Sequence, residues 1–305
     1  MCADTSPADV DAAGYMKHWA GRVEETLDRL VPETGGEPPE MFKIMRYSLF
    51  AGGKRLRPIL CVAGTEAVGG EPEAVLPAAC ALECIHTYSL IHDDLPAMDD
   101  DDFRRGNPTS HKVFGDAAAI LGGDGLLTLA FEMMTGAEMA RAAGAERTIE
   151  AIKVLADAAG AVGMVGGQLL DLRAGGRVKE PSELVEIHRR KTGAMIRASV
   201  YMGGLLGGGG DGQMAALSRY GERAGLAFQI VDDILDVEGD AELMGKSTGS
   251  DAAQDKATYP ALHGLEASKE MAREVVDEAI GALSAFPDGA QALAALARFI
   301  VLRRF

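Results

Sequence analysis

Long segments of helical period run through most of this chain and constrain its fold more than any other feature. Their apolar residues recur three and four positions apart, and helix-favouring Ala, Leu, Met, Glu and Arg dominate them, whereas strand-favouring Thr, Tyr and Phe are sparse. The pattern predicts helices near residues 18–30, 39–50, 57–68, 73–94, 116–142, 148–172, 181–206, 211–237, 264–284 and 289–303. About ten helices without a strand signal predict an all-α fold, a single large helical bundle.

Domain organisation follows from the same pattern. No shift in composition divides the chain, so we expect one domain over residues 1–305. Residues 1–14 lack a helical pattern and are expected to be disordered. The polar run 238–259 carries Lys246 and Lys256. An irregular connection of about 20 residues inside a compact domain is typical of an active-site lid, with a simple disordered excursion as the alternative.

Charge and composition exclude several functions. Asp and Glu number 46 against 30 Lys and Arg, which gives a formal charge of −16. Such an acidic chain is a poor general ligand for nucleic acid, because that binding depends on basic side chains. No run of about 20 apolar residues is free of charge, so we expect no membrane span. The polar start is unlike a signal peptide, and 4 cysteines without framework spacing suit the cytoplasm.

A first aspartate cluster lies in HDDLPAMDDDDFRRGNPTSH at 92–111. Pro96 must end or bend the preceding helix, so Asp93 and Asp94 lie near a helix C-terminus. The negative end of the helix dipole disfavours carboxylates there, and a bound cation is the natural compensation. The same bend brings Asp99 back toward Asp93.

A second cluster, FQIVDDILD at 228–236, contains Asp232, Asp233 and Asp236. Asp232 and Asp236 are one helical turn apart and share a face, while Asp233 points aside. A solvated face is the ordinary alternative, but the flanking residues are apolar nearly all round. Dry, unpaired carboxylates are costly, and hard cations would resolve the conflict.

Two such clusters, together with basic segments, indicate diphosphate binding through metal ions. Mg²⁺ usually takes one or two carboxylates and completes its shell with water and phosphate oxygens. Lys54 and Arg57 lie in GGKRLRP at 52–58, where the glycines permit close approach of the backbone. Arg104 and Arg105 follow the first cluster, and HRRKT spans 188–192. Arginine binds phosphate through two bonds and lysine acts as a point charge.

Other classes of protein share part of this pattern. A metal-dependent phosphohydrolase also uses adjacent His and Asp, as at His92 and Asp93, and would need further ligands such as His86 and His111. It has no use for the second cluster. An acidic helical protein would bind Mg²⁺ or Ca²⁺ without a diphosphate. Terpene cyclases ionise a diphosphate but lack a basic segment like 52–58.

The sequence resembles the trans-isoprenyl diphosphate synthases, closest to the bacterial-type farnesyl diphosphate synthases, over nearly its whole length. The resemblance rests on GGKRLRP at 52–58, HTYSLIHDDLPAMDDDDFRRG at 86–106, GMVGGQLLDL at 163–172, KTG at 191–193, FQIVDDILD at 228–236, GK at 245–246 and DKATYPAL at 255–262. It implies a barrel-like all-α bundle around a central cavity, a homodimer, and 1′-4 condensation of isopentenyl diphosphate with a short allylic diphosphate.

The resemblance also implies the residue roles. Asp93 and Asp99, with Asp94 in support, would bind two of about three Mg²⁺ ions, and Asp232, with Asp233 and Asp236, the third. The residues implied for isopentenyl diphosphate are Lys54, Arg57, His86 and Arg105. Those implied for the allylic diphosphate are Arg104, Lys191 and Lys246, joined by Lys256 on lid closure. Thr192 and Gln229 would face the developing cation.

Chain length is implied by the residues before the first cluster. In the family such side chains form the floor of the product pocket, and here they are Tyr88 and Ser89. Tyr88 would lie about 7.5 Å below the metal ions, at a helical rise of ~1.5 Å per residue. We therefore expect the fifteen-carbon product, with the twenty-carbon product as the alternative. LGGD at 121–124 has glycine where the family leads us to expect alanine, and we expect this difference to affect no role.

Overall fold

The computed structural model describes residues 10–34, 36–175, 181–238, 258–286 and 289–302. The helices are α1 (Ala12–Leu30), α2 (Pro39–Leu49), α3 (Leu56–Ala67), α4 (Leu76–Asp93), α5 (Ser110–Phe114), α6 (Asp116–Thr135), α7 (Ala137–Ala143), α8 (Ala145–Ala159), α9 (Met164–Ala174), α10 (Pro181–His188), α11 (Ala194–Gly207), α12 (Asp211–Glu238), α13 (Tyr259–His263), α14 (Leu265–Ala282) and α15 (Gln291–Leu302). Short 3₁₀ turns span Pro72–Val75 and Leu283–Ala285, a π turn spans Arg189–Gly193, and strands β1 (Phe103–Arg104) and β2 (Asn107–Pro108) form a ribbon.

The all-α prediction is confirmed, and α4 lies in the middle of the core. Most of its side chains are buried, including Leu82 and Ile85, because it packs against neighbours on several sides. Glycines bring α3 and α11 into close contact beside it: a Cβ added to Gly203 would lie 1.8 Å from the Cys61 carbonyl oxygen. The high glycine content therefore serves helix packing as well as turns.

Several predicted helices are divided in the structure. The predicted helix 116–142 is interrupted at Gly136, whose backbone is extended, and 148–172 is interrupted at residues 160–163. The predicted helix 181–206 contains the π turn. The expectation of no strands was wrong at residues 103–108, where Arg105 and Gly106 both have positive φ and join β1 to β2. Such a two-residue hairpin turn depends on two left-handed residues, and Arg105 concealed it in the sequence.

Two further details differ from expectation. α1 begins at Ala12, inside the segment expected to be disordered, because Asp11 caps it through a 3.1 Å bond from the Ala13 N–H to Oδ1. In LGGD, a Cβ on Gly122 would lie 2.5 Å from Ile44 Cγ2, so this glycine is needed for the packing of α6 on α2.

Two described segments are long and apolar enough to cross a membrane by length and composition alone, Pro72–Asp93 and Asp116–Thr135. The first is 78% buried inside the protein, as a core helix is. The second is only 39% buried and exposes Ile120 and Leu121. The composition of the first segment therefore needs no membrane to explain it.

Candidate active site

The first aspartate cluster is built on the C-terminal end of α4. Asp93 is its last helical residue, and the chain then reverses so that the Asp99 N–H donates to the Asp93 carbonyl oxygen over 2.9 Å. The bend predicted at Pro96 is confirmed. Burial raises the pKa of the Asp93 carboxyl to about 6, with Lys191 opposing and Asp99 reinforcing that shift. A cation beside Asp93 would relieve this unfavourable environment.

Asp94 differs from Asp93 in its surroundings. Its buried carboxylate accepts two bonds from Arg104 Nε, of 2.7 Å to Oδ1 and 2.9 Å to Oδ2. Arg104 also lies 3.3 Å from Asp101. Arg104 stands on β1, so the ribbon holds this arginine against the end of α4. Two residues predicted to act on metal and on substrate are thus bonded to each other in this structure.

The basic segment 52–58 places its two arginines in different environments. Arg55 is buried, forms a 2.7 Å ion pair with Glu83 and donates to the Leu49 carbonyl oxygen over 2.8 Å. Arg57, two residues later, lines an open cavity and its Nε has no hydrogen-bond partner among the described residues. Arg55 therefore fixes the start of α3, and Arg57 faces the cavity. Lys54 is exposed beside them.

Gly53 makes room for Arg105. A Cβ on Gly53 would lie 2.6 Å from Arg105 Nη1, and the same guanidinium donates to the Gly52 carbonyl oxygen. Burial lowers the pKa of Arg57. The pKa of His86 is also lowered well below its usual value, mainly by burial and to a smaller extent by the positive charges of Arg57 and Arg105. A bound anion would stabilise this concentration of positive charge.

The π turn carries Lys191 and Thr192 to the opposite wall. Lys191 Nζ donates to Asp171 Oδ2 on α9 over 2.7 Å. Burial lowers the Lys191 pKa, but Asp171 and Asp93 outweigh it and the net pKa is raised, so the ammonium is charged. A Cβ on Gly167 would lie 2.3 Å from the Lys191 backbone nitrogen, so only glycine permits α9 to pack this close. π turns occur often at functional sites.

The second cluster lies on α12 beside the π turn. Gly225 of α12 packs closely against the π turn: a Cβ added to Gly225 would lie 2.9 Å from the Gly193 Cα. Burial lowers the pKa of Arg57, and the charges of Glu83 and Asp232 oppose that shift, which places the second cluster near Arg57. Asp233 is buried, and its carboxylate accepts two hydrogen bonds, one of 3.1 Å from Gln229 Nε2 and one of 2.9 Å from the Tyr259 N–H. Gln229, predicted to face the cation, is therefore bonded to Asp233.

One cavity of about 350 Å³ is lined by some of these groups, but not by Arg104, Arg105 or the aspartates of the second cluster. Its polar end is formed by Arg57, His86, Asp93, Lys191 and Thr192. Its remaining wall is largely apolar and includes Met98, Met164, Val165, Leu169 and Leu172. Tyr88 and Ser89 also line it, and their role as a floor stays a prediction.

The ring of Tyr88 is held in place by His92. Its ring packs edge-on against the His92 ring, with centroids 5.8 Å apart. A Cβ on Gly123 of α6 would lie 2.2 Å from His92 Nε2, and the same nitrogen is 3.0 Å from the Ile120 carbonyl oxygen. His92 thus fills the space between Tyr88 and α6.

A larger cavity of about 560 Å³ shares no lining residue with this site. It contains several arginines, but Arg190 pairs with Glu186, Arg197 with Glu222 and Arg223 with Glu278. Its charges are balanced within the protein, so the smaller cavity, where Asp93 meets Arg57 and Lys191, is the better candidate for an active site.

The donor set fits Mg²⁺ that is shared with a substrate. Among the described residues, no three His, Cys, Asp or Glu side chains are arranged to hold a metal ion by themselves. Mg²⁺ characteristically binds one or two carboxylates and relies on phosphate oxygens and water for the rest of its shell. Asp93, disfavoured as a carboxylate by burial, is suited to such an ion.

The structure thus brings together Arg57, His86, Asp93, Lys191 and Thr192 around one cavity. Lys246 and Lys256 lie outside the described residues. Sequence reasoning missed Asp171, which pairs with Lys191, and Gln168, which lines the cavity. Both stand on α9 three residues apart, and two polar residues on one face of the apolar stretch GMVGGQLLDL were the signal that could have revealed them.

Comparison with known proteins agrees with this site. A family model described as polyprenyl synthetase matches residues 38–296. The chain is 49% identical over 263 residues to a farnesyl diphosphate synthase of Geobacillus stearothermophilus, covering 86% of this chain and 88% of that protein. It is 44% identical over 304 residues to large subunit 1 of the heterodimeric chloroplastic geranylgeranyl pyrophosphate synthase of Arabidopsis thaliana, covering 98% and 81%.

The crystal structure of an FPP/GFPP synthase from Zymomonas mobilis has a TM-score of 0.84 and 38% identity, covering 96% of this chain and 99% of that one. The chain therefore belongs to the polyprenyl synthetase family, and the resemblance inferred from its motifs is confirmed. It is a trans-prenyltransferase, and its family uses isopentenyl diphosphate and an allylic diphosphate.

Proposed function

We propose that this chain is a farnesyl diphosphate synthase that adds isopentenyl diphosphate to dimethylallyl diphosphate and then to geranyl diphosphate. The observation that carries the proposal is the cavity at the end of α4, whose wall includes Asp93 and, one helical turn earlier, Tyr88 and Ser89. Its volume of about 350 Å³ is within the usual range for small-molecule sites, about 300–1,000 Å³.

The side chains divide the two diphosphates between them. Lys54, Arg57, His86 and Arg105 hold isopentenyl diphosphate, and Arg104, Lys191, Lys246 and Lys256 hold the allylic diphosphate. About three Mg²⁺ ions, held by Asp93, Asp99 and Asp232 with Asp94, Asp233 and Asp236 in support, would stabilise the negative charge of the leaving diphosphate.

In the reaction, the allylic C–O bond breaks and its electron pair leaves with the diphosphate. Lys191 and Arg104 neutralise that charge, and the apolar wall excludes water from the allylic cation. Thr192, which lines the cavity, faces the cation. The double bond of isopentenyl diphosphate then forms the new C–C bond, and a proton passes to the released diphosphate.

The test of product length is Tyr88→Ala. The wild-type chain, supplied with Mg²⁺, labelled isopentenyl diphosphate and dimethylallyl diphosphate, should yield the fifteen-carbon product on chromatography. Tyr88→Ala should shift it to twenty carbons or longer, because the floor is removed. Tyr201→Ala, which removes a ring from the larger cavity, serves as the matched control and should change nothing. A wild-type product of twenty carbons would establish the alternative, a geranylgeranyl diphosphate synthase, which relatives of this chain include.

A homodimer is part of the proposal. α6 is apolar, yet it exposes Ile120 and Leu121. A second copy would cover such a face. Light scattering should give twice the chain mass, and Leu121→Asp should reduce it to a monomer.

The remaining assignments complete the proposal. Residues 1–305 are proposed as one domain, and the segment proposed as a lid, 238–259 with Lys246 and Lys256, lies almost wholly outside the described residues. The protein acts in the cytoplasm, where its buried thiols Cys61, Cys80 and Cys84 stay reduced.

A further inference from the structure

The least favourable polar group in the cavity wall belongs to Gln168. Its side-chain nitrogen and oxygen are both buried, and neither has a hydrogen-bond partner among the described residues. Its neighbours on α9 that line the same cavity, Met164, Val165, Leu169 and Leu172, are apolar. A buried amide with both atoms unpaired is rare in proteins and destabilises the fold that contains it.

The position of this amide gives it a chemical purpose. Gln168 lines the cavity together with Asp93 and Thr192, where the proposed reaction separates diphosphate from allylic cation. The other amide assigned to that cation, Gln229, donates its Nε2 to Asp233 over 3.1 Å and is not among the residues that line the cavity. Gln168 is thus the carboxamide that the structure offers to the substrate.

We propose that Gln168 is a catalytic residue whose carbonyl oxygen stabilises the allylic cation; this rests on the proposed prenyl transfer. When the C–O bond breaks, the electron pair leaves with the diphosphate and the allyl group becomes positive. The amide dipole lowers the energy of that charge and forms no bond. A fixed dipole in an apolar wall acts strongly because no water screens it.

The proposal predicts a gain in stability with a loss of rate, a combination that a purely structural residue would not give. Gln168→Met keeps the length of the side chain and removes both polar atoms. Calorimetry should show a Tm about 2 °C higher or more, because a buried unpaired amide is gone. The kcat for condensation should fall about 10- to 100-fold, with KM for the allylic diphosphate little changed.

Binding of two analogues separates charge recognition from turnover. Both analogues keep the diphosphate. One has a protonated nitrogen in place of the cationic carbon, so its allylic part is positively charged. The other is a thio analogue of the same length whose allylic part carries no charge. The wild type should prefer the ammonium analogue, and Gln168→Met should lose about tenfold of that preference while binding the thio analogue normally. Gln168→Glu, which retains a carbonyl oxygen, should keep the preference for the ammonium analogue.

Gln213→Met is the matched control. Its amide oxygen accepts from the Gly210 N–H over 3.0 Å at the start of α12, about 28 Å along the helix from Asp232 at a rise of ~1.5 Å per residue. This substitution should not raise Tm and should leave kcat and analogue preference unchanged.

A lower Tm or failure to fold in Gln168→Met, or an unchanged preference for the ammonium analogue, would overturn the role of Gln168. Failure of the proposed function has a different signature, namely no condensation product from the wild type with both substrates. Because the analogue titrations require no turnover, they report on Gln168 in either case.

Discussion

The two aspartate clusters contain similar residues but are supported in different ways. The first ends a helix, and its turn is closed locally by the bond from the Asp99 N–H to the Asp93 carbonyl oxygen. The second lies within α12, and its buried Asp233 is bonded to the N–H of Tyr259, 26 residues further on. The first cluster is therefore self-supporting, whereas the second depends on the return of the chain after the proposed lid.

The clusters also share a division of roles. In each DD pair the second aspartate is buried and bonded to protein, Asp94 to Arg104 and Asp233 to Gln229. Asp93 lines the cavity. Adjacent identical residues thus serve different purposes, and substitutions can separate them.

The largest effect is expected for Asp93→Ala. Condensation should slow at least about 10²-fold, because a charge that stabilises the transition state through the metal is lost. The metal-free protein should be at least as stable as the wild type, since burial disfavours this carboxylate. Steady-state kinetics and calorimetry in chelator measure both quantities. Activity within a few fold of wild type would remove Asp93 from the site.

Asp94→Asn should instead lower stability. It leaves the guanidinium of Arg104 without its carboxylate, and breaking a largely buried ion pair costs about 3 kcal/mol. Denaturant unfolding measures the loss. Asp101→Asn is the matched control, because Asp101 is more exposed and lies 3.3 Å from the same arginine, and it should cost less than about 1 kcal/mol. Equal losses of unfolding free energy in the two variants would show that the ion pair of Arg104 with Asp94 stabilises the protein no more than that with Asp101.

In the second cluster we expect the same separation between an aspartate that supports the fold and one that acts on the metal ion, with smaller effects. Asp233→Ala leaves the buried Tyr259 N–H unpaired and should cost about 1–3 kcal/mol of unfolding free energy. Asp232→Ala should chiefly weaken Mg²⁺-dependent binding of a bisphosphonate. If the two variants exchanged these properties, the assignment of roles within this pair would be reversed.

The smallest effect concerns pH and His188, the last residue of α10. Burial lowers the pKa of His188 to about 4, with Asp171 opposing and Lys191 reinforcing, and its ring lies 5.9 Å from that of Tyr259. A depressed folded pKa contributes stability that is complete above the ordinary value of 6.5 and is lost as pH falls toward 4. The loss should be on the order of 1 kcal/mol. His188→Phe should flatten this dependence in metal-free protein, and an unchanged pH profile would assign it to other groups.

Sequence reasoning succeeded where a property depends on residues that are close together in the sequence. Helical period gave the all-α fold, and the ring of Pro96 predicted the reversal that joins Asp99 to Asp93. Arg57 and Lys191 were placed correctly at the cavity because the motifs that carry them are specific.

The sequence did not predict the partners of buried polar groups. The pairing of Asp94 with Arg104 depends on a ribbon whose turn requires Arg105 in a left-handed conformation, which residue type alone disfavours. The bond from Tyr259 to Asp233 joins segments that are distant in sequence. Such pairings are decided by tertiary packing, and local propensity carries no information about them.

The central claim is that Asp93 and Asp232 hold one allylic diphosphate between them through shared Mg²⁺. A crystal structure of the full chain with Mg²⁺ and a bisphosphonate tests it most directly. The account predicts metal ions that bridge the bisphosphonate to Asp93 and Asp99 on one side and to Asp232 on the other, with Lys191 and Arg104 against the phosphonate oxygens. A bisphosphonate bound only by one cluster, or bound in the 560 Å³ cavity instead, would contradict it.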